Sequence, residues 1–254
     1  MTKNVNWTNW LERWDIQQSG YLPDREGRFQ AMLDVLDVVC EGEFVALDLA
    51  CGPGSISQRL LARFPHARCV AVDFDPVLLR IGQGALESLN GRLRWVEADL
   101  CQPDWVNTLE ESQFDAVLST TALHWLPPEN LIAVYKQLAT LVRPGGVVLN
   151  GDHIDFAPHI GTFQHIAETV KKHRQKEAFE QQGIEDWAKW WEAVKQDPIL
   201  KPLMTERERR FASRKRTWEK PIYELHEAAL LGAGFREIGI IWQNMDNRVV
   251  MAIR

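Results

Sequence analysis

Three acids, a glycine turn and a histidine stand where a nucleoside and a reacting group could be held. The run Asp48-Leu49-Ala50-Cys51-Gly52-Pro53-Gly54 ends a short apolar stretch, Phe44 to Ala50, and opens a segment of helical periodicity, Ser55 to Phe64. Glycines at a strand-to-helix turn let a ligand approach the backbone, and the start of the helix offers free N–H donors. The dinucleotide fingerprint is broken, because Ser57 stands where its third glycine belongs. Asp48, four residues ahead of Gly52, is a poor neighbour for a pyrophosphate and a good one for a cationic ligand. Asp73 closes a second apolar run, Cys69 to Phe74, where a carboxylate can accept both hydroxyls of a ribose. Asp99 follows a third, Leu93 to Glu97, within reach of an adenine amino group. His124 comes just after a fourth, Phe114 to Ser119, and His153 and His159 come just after a fifth, Gly146 to Asn150. An imidazole at that edge is a candidate general base.

The elements that position these residues follow from hydrophobic spacing. Arg28 to Cys40, Ser55 to Phe64, Pro76 to Leu89, Glu129 to Leu141 and Pro221 to Leu231 have helical spacing, the last ending at Gly232. They alternate with the five apolar runs, which predicts βαβ units and a mostly parallel sheet. Phe235 to Trp242 and Asn247 to Ile253 read as two more strands, too close together for anything but an antiparallel pair. The expected fold is therefore a doubly wound α/β sheet of seven strands with a terminal antiparallel hairpin. Between the fifth strand and Pro221 the rhythm breaks. Asp152 to Thr217 is polar, helix-like and charge-rich, and reads as an insertion.

Composition narrows the function classes. The 254 residues are 45% hydrophobic and 25% charged, which is ordinary for a globular protein with a sizeable core. The net charge of −6 argues against a generally cationic nucleic-acid binder. No apolar run is long enough for a membrane span, and the first twenty residues, with their charges and tryptophans, do not resemble a signal peptide. Cys40, Cys51, Cys69 and Cys101 form no metal-like cluster and read as reduced thiols in a cytoplasmic protein. Eleven tryptophans need cover from a core or a ligand. Trp7, Trp10 and Trp14 form one helical stripe, and Trp187, Trp190 and Trp191 form another. The second is either the inner face of the insertion or the wall of an acceptor pocket. The run Arg207 to Arg216 holds six Lys or Arg, and reads as a solvated helix face or an anion site.

Taken together these motifs resemble class I S-adenosylmethionine-dependent methyltransferases. DLACGPG is similar to the family's first motif, VAVDFDP to the second, EADL at Glu97 to Leu100 to the adenine-contacting motif, and LVRPGGVVL and LLGAGF to later junctions. The element TTALHWLP, Thr120 to Pro127, resembles the small-molecule branch, near the trans-aconitate methyltransferases. The resemblance implies S-adenosylmethionine as cofactor and a small-molecule acceptor, with no nucleic acid or membrane partner. It implies that the backbone at Ala50, Gly52 and Gly54 faces the methionine part and that Asp48 holds the ammonium. Asp73 would bind the ribose with Phe74 beside the adenine, while Asp99 and the N–H of Leu100 read the adenine edge. Ser119 and Thr120 would line the methionine side, and Tyr21 and Arg28 are candidates for the cofactor carboxylate. An acceptor pocket is expected from His124, Trp125, His153, Trp187, Trp190 and Trp191, with His124 as the candidate base. The organisation implied is a helical lid over 1–27, a cofactor domain over 28–151 and 218–254, and an acceptor cap over 152–217. A catalytically silent S-adenosylmethionine-binding protein is the alternative, and an NAD enzyme is disfavoured by Asp48 and Ser57.

Overall fold

The computed structural model describes residues 5–22, 24–212, 214 and 220–254. Helices α1 (Trp7–Tyr21) and α2 (Arg25–Val39) precede β1 (Val45–Leu49), α3 (Ser55–Arg63), β2 (Arg68–Asp73), α4 (Pro76–Leu86) and β3 (Leu93–Glu97). Then come β4 (Phe114–Thr120), α5 (Pro128–Leu141) and β5 (Val142–His153). Helices α6 (Gly161–Lys176), α7 (Trp187–Gln196) and α8 (Lys201–Phe211) form the insertion, before α9 (Tyr223–Ala233), β6 (Glu237–Asn244) and β7 (Asn247–Ile253).

The seven strands lie in the order β3-β2-β1-β4-β5-β7-β6. The first five are parallel, and β7 pairs antiparallel with both β5 and β6. Strand side chains alternate between two cores. Ala46, Ala71, Leu118 and Leu149 face α2, α3 and α4, and Leu47, Val72, Val117 and Val148 face α5 and α9. Burial on both faces explains why these strands read as continuous apolar runs.

Several expected boundaries shift. α4 stops at Leu86, because Glu87, Leu89 and Asn90 all take positive φ. β5 is twelve residues long rather than five; it takes in the Val142–Gly145 turn through an irregular register opposite Phe114 and Ala116. α9 starts at Tyr223 and runs past Gly232; it ends instead at Gly234, whose φ of 102° makes the left-handed cap. β6 begins at Glu237 and continues to Asn244, leaving only Met245 and Asp246 to join the antiparallel pair.

The expected lid is packed into the body of the protein. On α1, Trp10, Leu11 and Trp14 are buried, and Trp10 and Trp14 meet Trp190 of α7 at ring distances of 5.7 and 5.1 Å. Asp15 accepts from Arg25 (2.8 Å), Arg59 (3.1 Å) and the Ser55 hydroxyl (2.6 Å), so α1 is tied to α2 and α3. Among the described residues, no helix is long and apolar enough to cross a membrane.

Candidate active site

The glycine turn leaves β1 through left-handed backbone at Ala50 (φ 56°), Gly52 (56°) and Gly54 (85°). Such angles cost a residue with a Cβ, which accounts for the two glycines and leaves Ala50 strained. A Cβ built on Gly52 would meet only Leu78 Cδ1 at 3.8 Å, so this stretch of backbone is open to a ligand. Gly54 is covered instead: a Cβ there would lie 2.6 Å from the Trp95 indole, which packs under the turn.

Asp48 lies beneath the turn and is 1% exposed. Its Oδ2 accepts from the Ser57 N–H at 3.2 Å and the Ser57 hydroxyl at 2.5 Å. Ser57 at the third-glycine position thus has a structural reason: it anchors this carboxylate. Oδ1 has no partner among the described residues. Burial, opposed by the two Ser57 bonds, pushes the Asp48 carboxyl up to about 7. A carboxyl raised from 3.8 costs nothing below pH 3.8, and it destabilises the fold progressively as pH rises through about 7. Asp48→Asn is therefore expected to flatten the fall in stability between pH 5 and pH 8. An unpartnered amide at the Oδ1 position gives back part of the gain, leaving about 1–2 kcal/mol at pH 8. Urea denaturation at the two pH values measures it; a variant less stable than wild type at pH 8 would show that the charge is compensated.

Asp73 closes β2 with its carboxylate turned to the backbone. Oδ2 accepts from the Gly52 N–H at 2.7 Å, and Oδ1 accepts from Phe74 N (2.7 Å) and Asp75 N (2.8 Å). One side chain therefore joins the glycine turn to the tip of β2. Burial, against these three bonds, raises its carboxyl to about 6. Asp75 caps α4 through Val77 N (2.9 Å) and Leu78 N (3.2 Å), the role its position before Pro76 predicts.

The insertion delivers cations to these strand ends. Arg207 of α8 pairs with Asp75 at 2.5 Å, and Arg210 donates to the Phe74 carbonyl at 2.9 Å and pairs with Glu97 at 2.7 Å. Arg214 pairs with Asp99 and stacks its guanidinium 4.2 Å from the Phe74 ring centroid. Phe211 packs on Phe74 at 5.5 Å. Over its described part the basic run is not an open anion site: Arg207, Arg210 and Arg214 pair with acids of the strand ends, while Arg209, 74% exposed, lies on the solvated face and pairs with Glu206 of its own helix. Lys215 and Arg216 lie outside the described residues. Asp99 also accepts from Cys101 N at 3.0 Å, and Leu100 is buried beside it.

At the ends of β4 and β5, Ser119 donates to the Leu49 carbonyl at 2.8 Å, bridging β4 to β1, and Thr120 pairs with Gly151. Thr121 follows with φ 58°, a costly angle for a β-branched residue, held by its N–H to Gly151 O at 2.8 Å. Arg28 is fully buried. It donates to Thr121 Oγ1 (2.5 Å) and Asn247 Oδ1 (2.9 Å), leaving Nε without a described partner. Burial, opposed by the charge of Asp152, lowers it to about 9. The Tyr21 hydroxyl accepts from Trp187 N at 3.0 Å and its ring packs on Phe179. His124 and His153 do converge, with ring centroids 6.5 Å apart, and Asp152, unremarked in the sequence, lies between them. An acid two residues after the fifth apolar run was the available signal.

Two of the four tryptophans expected in the pocket wall, Trp190 and Trp191, are buried in the core, and Trp125 lies beside His124 with ring centroids 5.1 Å apart. Trp190 (0% exposed) and Trp191 are core residues facing α1 and Arg207, while Trp187 is 39% exposed and Trp125 60% exposed. Large rings at helical spacing found cover against one another, which is the cheaper way to bury them. A cavity of about 370 Å³ opens elsewhere, between the end of α1 and the segment after α6, lined by Ser19, Gly20, Asp24, Arg174, Glu177 and Ile184 among others.

Residues 46–146, which include the glycine turn, both strand-tip acids and His124, match a family model described as a methyltransferase domain. That stretch, 101 of the 254 residues, is similar to a methyltransferase domain. A trans-aconitate 2-methyltransferase of Azoarcus sp. (strain BH72) is 32% identical over 139 residues, 54% of this chain and 50% of that protein. A protein of the same name from Escherichia coli (strain 55989 / EAEC) is 32% identical over 106 residues, 42% of this chain and 37% of its own length. The chain thus aligns with half or less of these relatives. Among solved structures, magnesium protoporphyrin IX methyltransferase from Synechocystis PCC 6803 with bound SAH has a TM-score of 0.59 at 15% identity, covering 97% of this chain and 95% of that one. An S-adenosyl-L-methionine-dependent methyltransferase structure from Methanococcus maripaludis, itself described only as a candidate, gives 0.55 at 13% identity, covering 100% and 97%. These likenesses show the methyltransferase fold. The residues of the domain fit its cofactor, S-adenosylmethionine: Asp48 keeps an unpartnered buried oxygen for a cationic group, and Gly52 leaves the backbone open beside Asp73.

Proposed function

We propose that this protein transfers the methyl group of S-adenosylmethionine to a small-molecule acceptor. The observation that carries the reading is the junction of the open Gly52 backbone with the Asp73 carboxylate at 2.7 Å, on the carboxyl edge of a parallel sheet. On this reading the Ala50, Gly52 and Gly54 backbone, Ser119 and Thr120 bound the methionine part, and Asp48 receives the ammonium directly or through water. Asp73 takes the ribose hydroxyls. Phe74 flanks the adenine, and Asp99 with Leu100 reads its edge. Arg214 then gives up or shares Asp99 as the adenine amino group arrives. Arg28 is retained as the candidate for the cofactor carboxylate, because it is a buried cation with an unpartnered N–H; Tyr21 is a weaker one, since Trp187 already holds it.

The cofactor supplies an electrophilic methyl on a sulfonium, so the chain's task is alignment and exclusion of water. Alignment alone is worth roughly 7–11 kcal/mol for a well-placed pair. The acceptor is assigned to the region around His124 and His153, under a cap of residues 152–217, with 28–151 and 218–254 as the cofactor domain and 1–27 as its cover. A cytoplasmic location is supported by four free cysteines.

Thermal shift with S-adenosylhomocysteine (SAH) and with NAD tests the cofactor. A ligand at 100 times its Kd stabilises by about 2.7 kcal/mol, and the expected result is a shift with SAH alone. A shift with NAD alone would overturn the reading. Methyl transfer from labelled S-adenosylmethionine is then measured on trans-aconitate, phenols and amines, trans-aconitate first because relatives bear its name. SAH binding with no transfer to any acceptor class would favour a silent cofactor-binding protein.

A further inference from the structure

Asp152 stands near the carboxyl end of β5, 1% exposed, with both carboxylate oxygens turned on His124 of the loop after β4. Oδ1 lies 2.6 Å from His124 Nδ1 and accepts from the His153 N–H at 2.7 Å, while Oδ2 accepts from the His124 N–H at 3.0 Å. The carboxylate thus grips His124 by ring and backbone together. Burial disfavours its charge, and the attraction and hydrogen bonds of His124 more than offset this, holding Asp152 well below the usual carboxylate range. An ionised carboxylate only accepts, so it fixes the proton of a neutral imidazole on Nδ1 and leaves the lone pair on Nε2. Nε2 has no hydrogen-bond partner among the described residues. The charged and titratable groups around the pair are Arg28 from α2, His153 on β5 with Asp246 and Lys171 behind it, and the Tyr135–His226 pair from α5 and α9.

We propose that Asp152 is the positioning residue for a general base at His124 Nε2, and that the acceptor therefore reaches the site as a protonated hydroxyl rather than as a carboxylate. The inference rests on the methyl-transfer reading above. As the acceptor oxygen bonds to the methyl carbon, its proton passes to His124 Nε2. The carbon–sulfur bond breaks with its electron pair returning to sulfur, which leaves as a neutral thioether. The imidazolium formed faces the Asp152 carboxylate and later releases its proton to water. A carboxylate acceptor carries no proton at neutral pH and gives such a base nothing to do.

The test begins without turnover. In ¹⁵N-histidine NMR of the ligand-free wild type with neutral imidazoles, His124 is expected as the Nδ1–H tautomer with a bare Nε2, and in Asp152→Asn that tautomer preference is lost. SAH affinity measured beside it separates the two ideas. Failure of SAH to bind sinks the methyl-transfer reading, whereas SAH binding with a bare Nδ1 overturns only the role of Asp152. Turnover uses catechol as the hydroxyl probe and trans-aconitate as the carboxylate probe. Catechol methylation should fall roughly 100-fold in Asp152→Asn, within the range of general-base contributions. SAH affinity should stay within three-fold of wild type. Methylation of trans-aconitate at a rate that Asp152→Asn leaves unchanged would overturn the proposal.

Discussion

Replacing Asp73 with alanine is expected to raise the dissociation constant of SAH by about 10²–10⁴-fold. On the reading above, the carboxylate accepts two ribose hydroxyls, each worth roughly 1.5–3 kcal/mol to a charged acceptor. The same substitution strips the acceptor from three backbone N–H groups, at Gly52, Phe74 and Asp75. The ligand-free fold should therefore lose stability too, and the glycine turn should exchange its amide protons faster. Calorimetric titration and hydrogen exchange measure the two losses separately. An affinity within three-fold of wild type, with faster exchange at Gly52, would make Asp73 a fastener of the turn and remove it from the ligand site.

Trp190→Ala is expected to cost about 3–5 kcal/mol of stability, the range for deleting a large buried aromatic side chain. Trp190 touches Trp10, Trp14 and Trp191 at ring distances of 5.7, 5.1 and 4.8 Å, so its loss empties the joint between α1 and α7. Trp10→Ala should cost less once Trp190 is gone, because contacting residues couple. Chemical denaturation of the two single variants and the double variant checks both statements. Unchanged stability in Trp190→Ala would return the ring to a pocket wall.

The parallel half of the fold was legible because hydrophobic runs buried on both faces alternate with helices of even pitch. Asp48, Gly52, Asp73 and Asp99 could be placed from the sequence because strand ends and turns dictate where a carboxylate sits. What these acids bond to could not. Ser57 is visible as a missing glycine, yet its hydroxyl holding Asp48 is a contact across the turn. Arg214 is separated from Asp99 by more than a hundred residues, and no periodicity pairs them. Trp187, Trp190 and Trp191 share a helical stripe whether they face a ligand or α1, so the spacing left both uses open. Asp152 escaped notice because it closes β5 as an ordinary polar end, and only the return of His124 from the preceding strand gives it a task.

The strand order carries a consequence for how the chain assembles. β5 ends at His153, but its neighbour β7 begins only at Asn247. Parallel strands β1 to β5 can pair in sequence, after which one side of β5 is a row of unsatisfied N–H and C=O groups. A ribosome adding about 5–20 residues per second leaves that side exposed for roughly 5–20 s while the insertion, α9 and β6 emerge. An open strand edge is a template for pairing with another chain. β6 cannot close it, since β7 lies between them. Completion of the sheet thus waits on residues 247–253, and the period of greatest aggregation hazard is set by the length of the insertion.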